Sequence, residues 1–386
     1  MAFLHLKLHN GLTYFIIAIT RYNFFAQNGF TLRQIMEMKK VVVGMSGGID
    51  STLTAIKLKE DGFLVVGVTL WMLDSAKTLK AIDDAKLQAQ RIGIEHHVVD
   101  CRNIFTETII RPFAEAYLKG ETPSPCAWCN PQVKWKLLAE FADSIGARYI
   151  SSGHYVQTAE HNGLHYVMKG SDPKKDQSYY LWMLPESIIQ RMVQPMGTIL
   201  KEQAKQEIRD RNFDDLVPNR ESMSVCFLEG MDYRHFIAQL MPKRMAEVRP
   251  GDVLDESGNA IGRHSGIPFY TIGQKRGLEL TVEREAYIQA IDSESNTITI
   301  GRKSDLLRTE FRVREIHLIS KEEITPTTPL EVKVRGLGLN PEGYGYLSAV
   351  GDAGTVTLDH PAWAISPGQP VVFYIGDRLV GGALAL

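Results

Sequence analysis

From Lys39 onward, short apolar runs alternate with longer stretches whose apolar residues recur at helical spacing. Residues 41–43 are three consecutive valines that end in a glycine-rich turn, too short for a helix and β-branched enough for a buried strand. Residues 51–59 follow with helical periodicity, then 65–70 as a second β-branched run, Ala76–Ile92 as a second helix and 96–99 as a third strand. Two amphipathic helices over 104–118 and 133–144 lead to a fourth strand over 149–152. This alternation predicts an α/β, doubly wound parallel sheet, with its ligand at the carboxyl ends of the strands. Past about residue 230 the texture changes. Pro250-Gly251-Asp252 and Asp255-Glu-Ser-Gly258 are turn signals, and the runs over 330–334, 355–358, 371–375 and 379–386 read as short strands. The expected organisation is a catalytic domain over 39–230, a small central domain over 231–300 and a C-terminal β-barrel over 301–386. Residues 1–38 stand apart. Their apolar run from Tyr14 to Ile19 is too short to span a bilayer, and Arg21 and Asn23 follow it where a signal peptide would place a small-residue cleavage site. Met38-Lys39-Lys40 reads as a natural start, so the preceding segment is expected to be an upstream extension.

Composition narrows the class. A chain of 386 residues needs two or three domains. With 44% hydrophobic and 23% charged residues it is composed like a soluble globular protein, and no run is long enough for a membrane span. The net charge of −2 does not suggest a nucleic-acid binder, so any RNA partner must meet a local basic patch. Four cysteines, Cys101, Cys126, Cys129 and Cys226, are too few for a disulfide scaffold. Cys126-Ala-Trp-Cys129 instead suggests redox work, a metal or a cluster, while Cys101, after a strand, reads as a core residue.

The turn after the first strand carries chemistry. Gly44-Met45-Ser46-Gly47-Gly48-Ile49-Asp50-Ser51 joins a strand to a helix. Glycines admit phosphate close to backbone amides, and the helix N-terminus adds unpaired N–H groups and a positive dipole end. No Gly-Lys-Ser/Thr follows, so this is not a Walker loop. Asp50 would repel phosphate unless a cation lies between, which suggests Mg²⁺ bridging to pyrophosphate. The segment resembles the pyrophosphate loop of the ATP-pyrophosphatase superfamily, whose members split ATP into AMP and pyrophosphate and adenylate an oxygen. GMP synthetase, argininosuccinate synthetase and tRNA sulfur-transfer enzymes share it.

The remaining motifs choose among these. Thr122-Pro-Ser124-Pro125-Cys126-Ala-Trp-Cys129-Asn130 precedes an expected helix with Lys134 and Lys136, and Glu221-Ser-Met-Ser-Val-Cys226 comes much later. Between them lie Gly153-His154-Tyr155 and Gly170-Ser-Asp172-Pro-Lys174-Lys175-Asp176-Gln177. Then come His264 to Arg276, containing Tyr270 and Gly273-Gln-Lys275, and Ala364-Ile-Ser-Pro367-Gly368-Gln369. In this order, from Lys39 to Leu386, the chain resembles the bacterial tRNA-specific 2-thiouridylase family. The resemblance implies ATP-dependent transfer of sulfur to carbon 2 of the wobble uridine of tRNA in the cytoplasm. It makes Cys129 the first catalytic cysteine and Cys226 the one that bears a persulfide, with a disulfide among the expected chemistry. ATP and Mg²⁺ would meet Gly44 to Ser51, Leu70 and Gly153, with Asp50 catalytic. Ser124, Pro125 and Cys126 would flank the target base, and His154, Lys175, Asp176, Gln177 and Gln369 would touch tRNA. A sulfur-donor relay protein or cysteine desulfurase is implied as partner, and a monomer is expected.

The residues depart from the family pattern in places. Ser124-Pro125-Cys126 stands where many relatives carry Asn-Pro-Asp, so the acid/base role of that aspartate is not transferred. The segment 71–76 is short, and Arg335-Gly-Leu-Gly lacks the basic and aromatic residues usual there. Cys126 also opens a second sulfur route, in which Cys126, Cys129 and Cys226 hold a four-iron four-sulfur cluster. Two rivals differ in class: an ATP-pyrophosphatase ligase or amidotransferase acting on a small molecule, and a degenerate tRNA-binding protein. The first needs no cysteine pair, and the intact Ser46 to Ser51 loop speaks against the second.

Overall fold

The computed structural model describes residues 39–217, 225–276, 279–280, 286–336 and 338–386; the expected extension over 1–38 lies outside them. Strands β1 (Lys40–Gly44), β2 (Leu64–Trp71), β3 (Glu95–Asp100) and β4 (Tyr149–Ser152) form a parallel sheet in the order β3-β2-β1-β4. Side chains alternate across the sheet. Val41 and Val43 pack against helices Ile49–Glu60 and Lys201–Asp210 on one face, and Val42 packs with Trp135 and Leu138 of helix Trp135–Ser144 on the other. Both faces are therefore covered, which is why β1 is apolar throughout. The chain leaves β1 toward β2 and β3, then returns to the other side of β1 as β4. The switch point lies between the carboxyl ends of β1 and β4, where Gly44 and Gly153 begin their loops.

Two features differ from the expected elements. The helix expected at 133–144 starts earlier: Pro125–Cys129 is already helical and continues through a π turn, Asn130–Lys134, into Trp135–Ser144. Proline at position 125 stands at the first helical residue, where its missing N–H costs nothing. The second difference is a hairpin, β5 (Val156–His161) with β6 (Leu164–Lys169), that leaves the catalytic domain and pairs through Met168 with Arg378.

The central domain holds β7 (Gly251–Leu254), β8 (Ala260–His264), β9 (Glu279–Leu280), β10 (Tyr287–Asp292) and β11 (Thr297–Gly301), in the order β10-β11-β7-β8-β9. The C-terminal barrel holds β12 (Leu307–Leu318), β13 (Glu331–Lys333), β14 (Gly345–Val350), β15 (Ala353–Trp363), β16 (Pro370–Ile375) and β17 (Arg378–Ala385), in the order β13-β16-β17-β12-β15-β14. Its seam with the catalytic domain is internal in character. Tyr179 donates its hydroxyl to Pro370 O at 2.9 Å, Ser178 meets the Tyr374 hydroxyl at 2.9 Å, and Lys333 pairs with Asp176 at 3.2 Å. Trp182, 1% exposed, packs so tightly on Gly382 that a Cβ there would lie 2.8 Å from its ring. No helix among the described residues is long and apolar enough to cross a membrane.

Candidate active site

The glycine loop is shaped by its neighbours. Gly47 has φ +77°, and a Cβ there would fall 2.8 Å from Asp84 Cβ and 2.9 Å from Ala81 O, so the position admits glycine alone. Met45 is buried and bonds through its N–H to Val68 O at 2.8 Å, which anchors the loop to β2. Gly48 is the N-cap of helix Ile49–Glu60 and has no side chain to occupy the first-turn N–H groups. Ser51 Oγ donates to Gly48 O at 3.2 Å and accepts from Ser46 N–H at 3.1 Å, closing the loop on itself, while Ser46 and Gly48 face solvent. An uncapped, exposed helix start beside a switch point suits an anionic group. Gly153 faces it from β4: a Cβ there would lie 2.8 Å from Ser51 N and 2.9 Å from Asp50 Cβ.

Asp50 stands in the first turn of that helix and is half-buried. Both its oxygens hold Lys201 Nζ, at 2.7 and 2.8 Å, and Oδ1 also accepts the Tyr155 hydroxyl at 2.8 Å. The cation beside Asp50 is therefore an ammonium from 151 positions along the chain. The sequence reading missed it, because no local signal ties Lys201 to the loop. Among the described residues no group of three or more His, Cys, Asp or Glu side chains is arranged to hold a metal ion.

Beyond the loop, Leu70 ends β2 between the sheet core and a second apolar cluster. That cluster contains Cys129, Cys101, Phe105, Phe113, Val133 and Phe227. Buried Phe227 pins the segment that carries Cys226, so an exposed thiol is held near a buried one. All four cysteines are free. Cys126 is half-buried one helical turn from Cys129, and Asn130 locks that turn by donating its amide to Cys126 O at 2.9 Å and Tyr180 O at 3.1 Å.

Burial pushes the Cys129 thiol up to about 12, and Lys134 offsets only part of that rise. The helix that follows does not lower this thiol. Cys129 lies inside a continuous helical segment, so no free helix N-terminus faces it, and Lys136 points to solvent. Cys126 is raised by burial too. Burial works against the Lys134 ammonium, yet the sulfur atoms of Cys129, Cys126 and Cys226 outweigh it and raise the Lys134 pKa. Lys134 is thus the cation of the cysteine site. The donor set for an iron-sulfur cluster is not assembled: the three thiols do not form a metal-holding group.

The expected tRNA contacts fall into two kinds. Lys174 is exposed and Lys175 half-buried, on a turn at the surface. Asp176 is 9% exposed and accepts Gly170 N–H, Ser178 N–H, Ser178 Oγ and Lys333 Nζ. Gln177 accepts Tyr155 N–H at 3.0 Å, and Gln369 donates to Val334 O at 2.6 Å. His154 is buried, shares a 2.6 Å bond with Ser152 Oγ, and lies 5.6 Å from the Trp135 ring; burial first, and Lys134 second, lower it to about 3. It is a neutral imidazole at pH 7. Ser124 and Pro125 open the cysteine helix, with Pro125 buried and Ser124 half-exposed. His264 meets Asn296 O and accepts Gly266 N–H, and Arg335 donates to Trp363 O and Ala364 O. In the central domain Arg276, Arg234, Phe269, Tyr270, Gln274 and Ser265 line a cleft of about 730 Å³.

Matches to known proteins span most of the chain. Residues 39–230 match the family described as tRNA methyl transferase HUP domain, 234–302 its PRC-barrel domain, and 308–385 the aminomethyltransferase β-barrel domain. The tRNA-specific 2-thiouridylase MnmA 3 of Phocaeicola vulgatus is 39% identical over 89% of this chain and 94% of its own length. The tRNA-specific 2-thiouridylase MnmA of Pelotomaculum thermopropionicum is 38% identical over 90% of this chain and 97% of its own. A solved 4-thiouridine synthetase in complex with RNA and ATP overlaps 54% of this chain and 52% of its own, at 16% identity and a TM-score of 0.35, too loosely to bear on the site. Identities of 39% and 38% to these relatives, over 89% and 90% of the chain, mean that the chain belongs to the tRNA-specific 2-thiouridylase family.

Proposed function

We propose that this chain uses ATP to replace the oxygen on carbon 2 of the wobble uridine of tRNA with sulfur. The observation that carries the proposal is a buried thiol, Cys129, in an apolar cluster that Leu70 links to the phosphate-loop sheet, with the exposed Cys226 next in sequence to Phe227 of the same cluster. The uridine leaves the anticodon stack, as base-modifying enzymes require. Its oxygen attacks the α-phosphorus of ATP, pyrophosphate departs, and carbon 2 now carries AMP as a leaving group. Exposed Cys226 is accessible to a donor protein and takes up sulfur as a persulfide. The terminal sulfur attacks carbon 2 and AMP departs. Cys129, as thiolate, then attacks Cys226 Sγ, which leaves sulfur on the base and a Cys129–Cys226 disulfide for an external thiol to reopen. Lys134 stabilises the Cys129 thiolate when it forms. Gly44 to Ser51, Leu70 and Gly153 receive ATP; magnesium, with Asp50 as the carboxylate nearest the loop, would supply charge neutralisation. Ser124, Pro125 and Cys126 flank the base, His154 adds a neutral ring, and the Lys174–Lys175 turn takes tRNA phosphate while Asp176, Gln177 and Gln369 shape that surface. The enzyme works as a cytoplasmic monomer served by a relay protein or cysteine desulfurase.

The two-cysteine route is favoured over the cluster because one thiol is buried and one exposed, and no metal-holding group is formed among the described residues. The small-molecule ligase reading leaves the cysteine pair and the barrel without a task. The test is mass spectrometry of anticodon nucleosides from a deletion strain complemented with wild type, Cys129→Ser or Cys226→Ser. We expect 2-thiouridine with wild type alone. Full thiolation by either variant would refute the route.

A further inference from the structure

The segment from Ser124 to Asn130, expected beside the target base, contains no carboxylate. Yet the oxygen on carbon 2 becomes a good nucleophile only as the base loses the proton on N3, and negative charge then spreads onto both ring carbonyls. A donor at the other carbonyl favours that loss. The turn Ser178–Leu181 brings two successive tyrosines to this place, their rings edge to face at 5.2 Å. Their hydroxyls have different surroundings. Tyr179 is 4% exposed, and its oxygen lies 3.2 Å from Val334 O and 2.9 Å from Pro370 O, inside the barrel seam. Tyr180 is half-buried, and its hydroxyl has no hydrogen-bond partner among the described residues. Asn130 ties Tyr180 to the cysteine helix, its one amide group donating to Cys126 O at 2.9 Å and to Tyr180 O at 3.1 Å. On the barrel side the hydroxyl passes bare Gly336, where a Cβ would lie 2.5 Å from it. Burial first, and the neighbouring Cys126 sulfur second, raise the Tyr180 pKa, so the phenol keeps its proton and serves as a donor. Packing uses the ring; the oxygen is left for a ligand.

We propose that Tyr180 is a catalytic residue of the adenylation step, its hydroxyl donating a hydrogen bond to the oxygen on carbon 4 of the target uracil. This rests on the reading that Ser124, Pro125 and Cys126 flank that base and that its carbon-2 oxygen is adenylated. In that step the carbon-2 oxygen bonds to the α-phosphorus. Pyrophosphate leaves with the electron pair of the broken P–O bond, and the N3 proton passes to water. The carbon-4 oxygen makes and breaks no covalent bond, so a donor can stay on it throughout. That hydrogen bond strengthens as charge develops on the ring, which lowers the barrier rather than tightening binding of the ground state.

The experiment is tRNA-dependent pyrophosphate release by the full chain at saturating ATP, on tRNA with uridine or 4-thiouridine at the wobble position. Sulfur on carbon 4 is a weak acceptor, and its effect on the acidity of N3 is common to the two proteins compared. With uridine, Tyr180→Phe should lower kcat ~10- to 100-fold, the range for a hydrogen bond to a charged group, and leave KM for tRNA and ATP unchanged. With 4-thiouridine the variant and wild type should react at the same rate, because the acceptor for the hydroxyl is gone. Thermal stability should match wild type, since Tyr180→Phe removes no hydrogen bond within the described fold. Wild-type kcat in Tyr180→Phe on the uridine tRNA overturns the proposal. An equal fold-loss on both tRNAs also overturns it, because that marks a structural role. A wild-type chain that releases no more pyrophosphate with uridine than with cytidine at the wobble position removes the adenylation reading itself, and the role of Tyr180 with it.

Discussion

Asp176→Asn separates a contact with tRNA from a clamp between domains. The wild-type carboxylate takes four donors: Gly170 N–H and Ser178 N–H on Oδ1, both at 3.1 Å, and Ser178 Oγ at 2.9 Å and Lys333 Nζ at 3.2 Å on Oδ2. Asparagine can keep the two backbone bonds with its amide oxygen. Its amide nitrogen then faces two donors and can accept from neither. Ser178 can turn its hydroxyl wholly toward Tyr374, 2.9 Å away, but Lys333 on the barrel loses its partner. A lost charge-assisted bond costs about 1.5–3 kcal/mol. Lys333 retains 19% side-chain exposure, so water recovers part of its charge and the cost stays below the 3–5 kcal/mol typical of breaking a fully buried pair. We therefore expect about 2 kcal/mol of lost stability. Urea unfolding should show a lower midpoint, and hydrogen exchange should quicken in β16 and β17, which carry Tyr374 and Gly382. Intrinsic tRNA affinity, measured well below the new midpoint, should change little. A wild-type urea midpoint combined with impaired tRNA binding would refute the clamp and make Asp176 an RNA contact.

Brief treatment with iodoacetamide at pH 7 should alkylate exposed Cys226 first and spare Cys129, whose buried thiol is held up to about 12; peptide mass spectrometry showing Cys129 modified first would contradict the burial. Gly153→Ala places a methyl 2.8 Å from Ser51 N, an overpacking worth about 1–3 kcal/mol, and should weaken ATP binding with tRNA binding preserved; unchanged calorimetry would show that the two loops are not in contact. His154 is lowered to about 3 by burial, against an ordinary value of 6.5. Below 6.5 the unfolded chain takes up a proton that the folded chain refuses, so this stability is present above pH 6.5 and lost as pH falls toward 3. His154→Gln should flatten the acid limb of a melting-temperature profile, and an unaltered slope would mean that His154 is already charged in the fold.

The alternation of valine runs and amphipathic stretches was enough to place β1 to β4 and the phosphate loop, because strand and helix periods are local properties of the chain. The order of motifs was enough to identify the family. Local pattern also misled. Cys126 and Cys129 sit in a proline- and serine-rich stretch that reads as a loop, but Pro125 starts a helix there, and the Asn130 side chain stitches its turn to Tyr180, a residue 50 positions away. The β5–β6 hairpin was invisible as part of the barrel seam because its partner strand, β17, lies at the end of the chain.

What the sequence determined by itself was the inventory: a glycine loop between a strand and a helix, three cysteines at reactive spacing, and a basic turn at Lys174 and Lys175. Each depends on neighbours within a few residues. What only the tertiary structure decided was the environment of each group. Asp50 became the partner of Lys201 rather than of an open site, because Asp172 caps a helix that no local residue can cap. Cys129 became a buried, proton-retaining thiol because phenylalanines from three separate segments close over it. Asp176 and Gln177, polar residues in a charged stretch, turned inward because the barrel and Tyr155 offer them donors. Charge state and burial are set by what folding brings within a few ångströms, and those partners lie up to 157 residues apart in the chain.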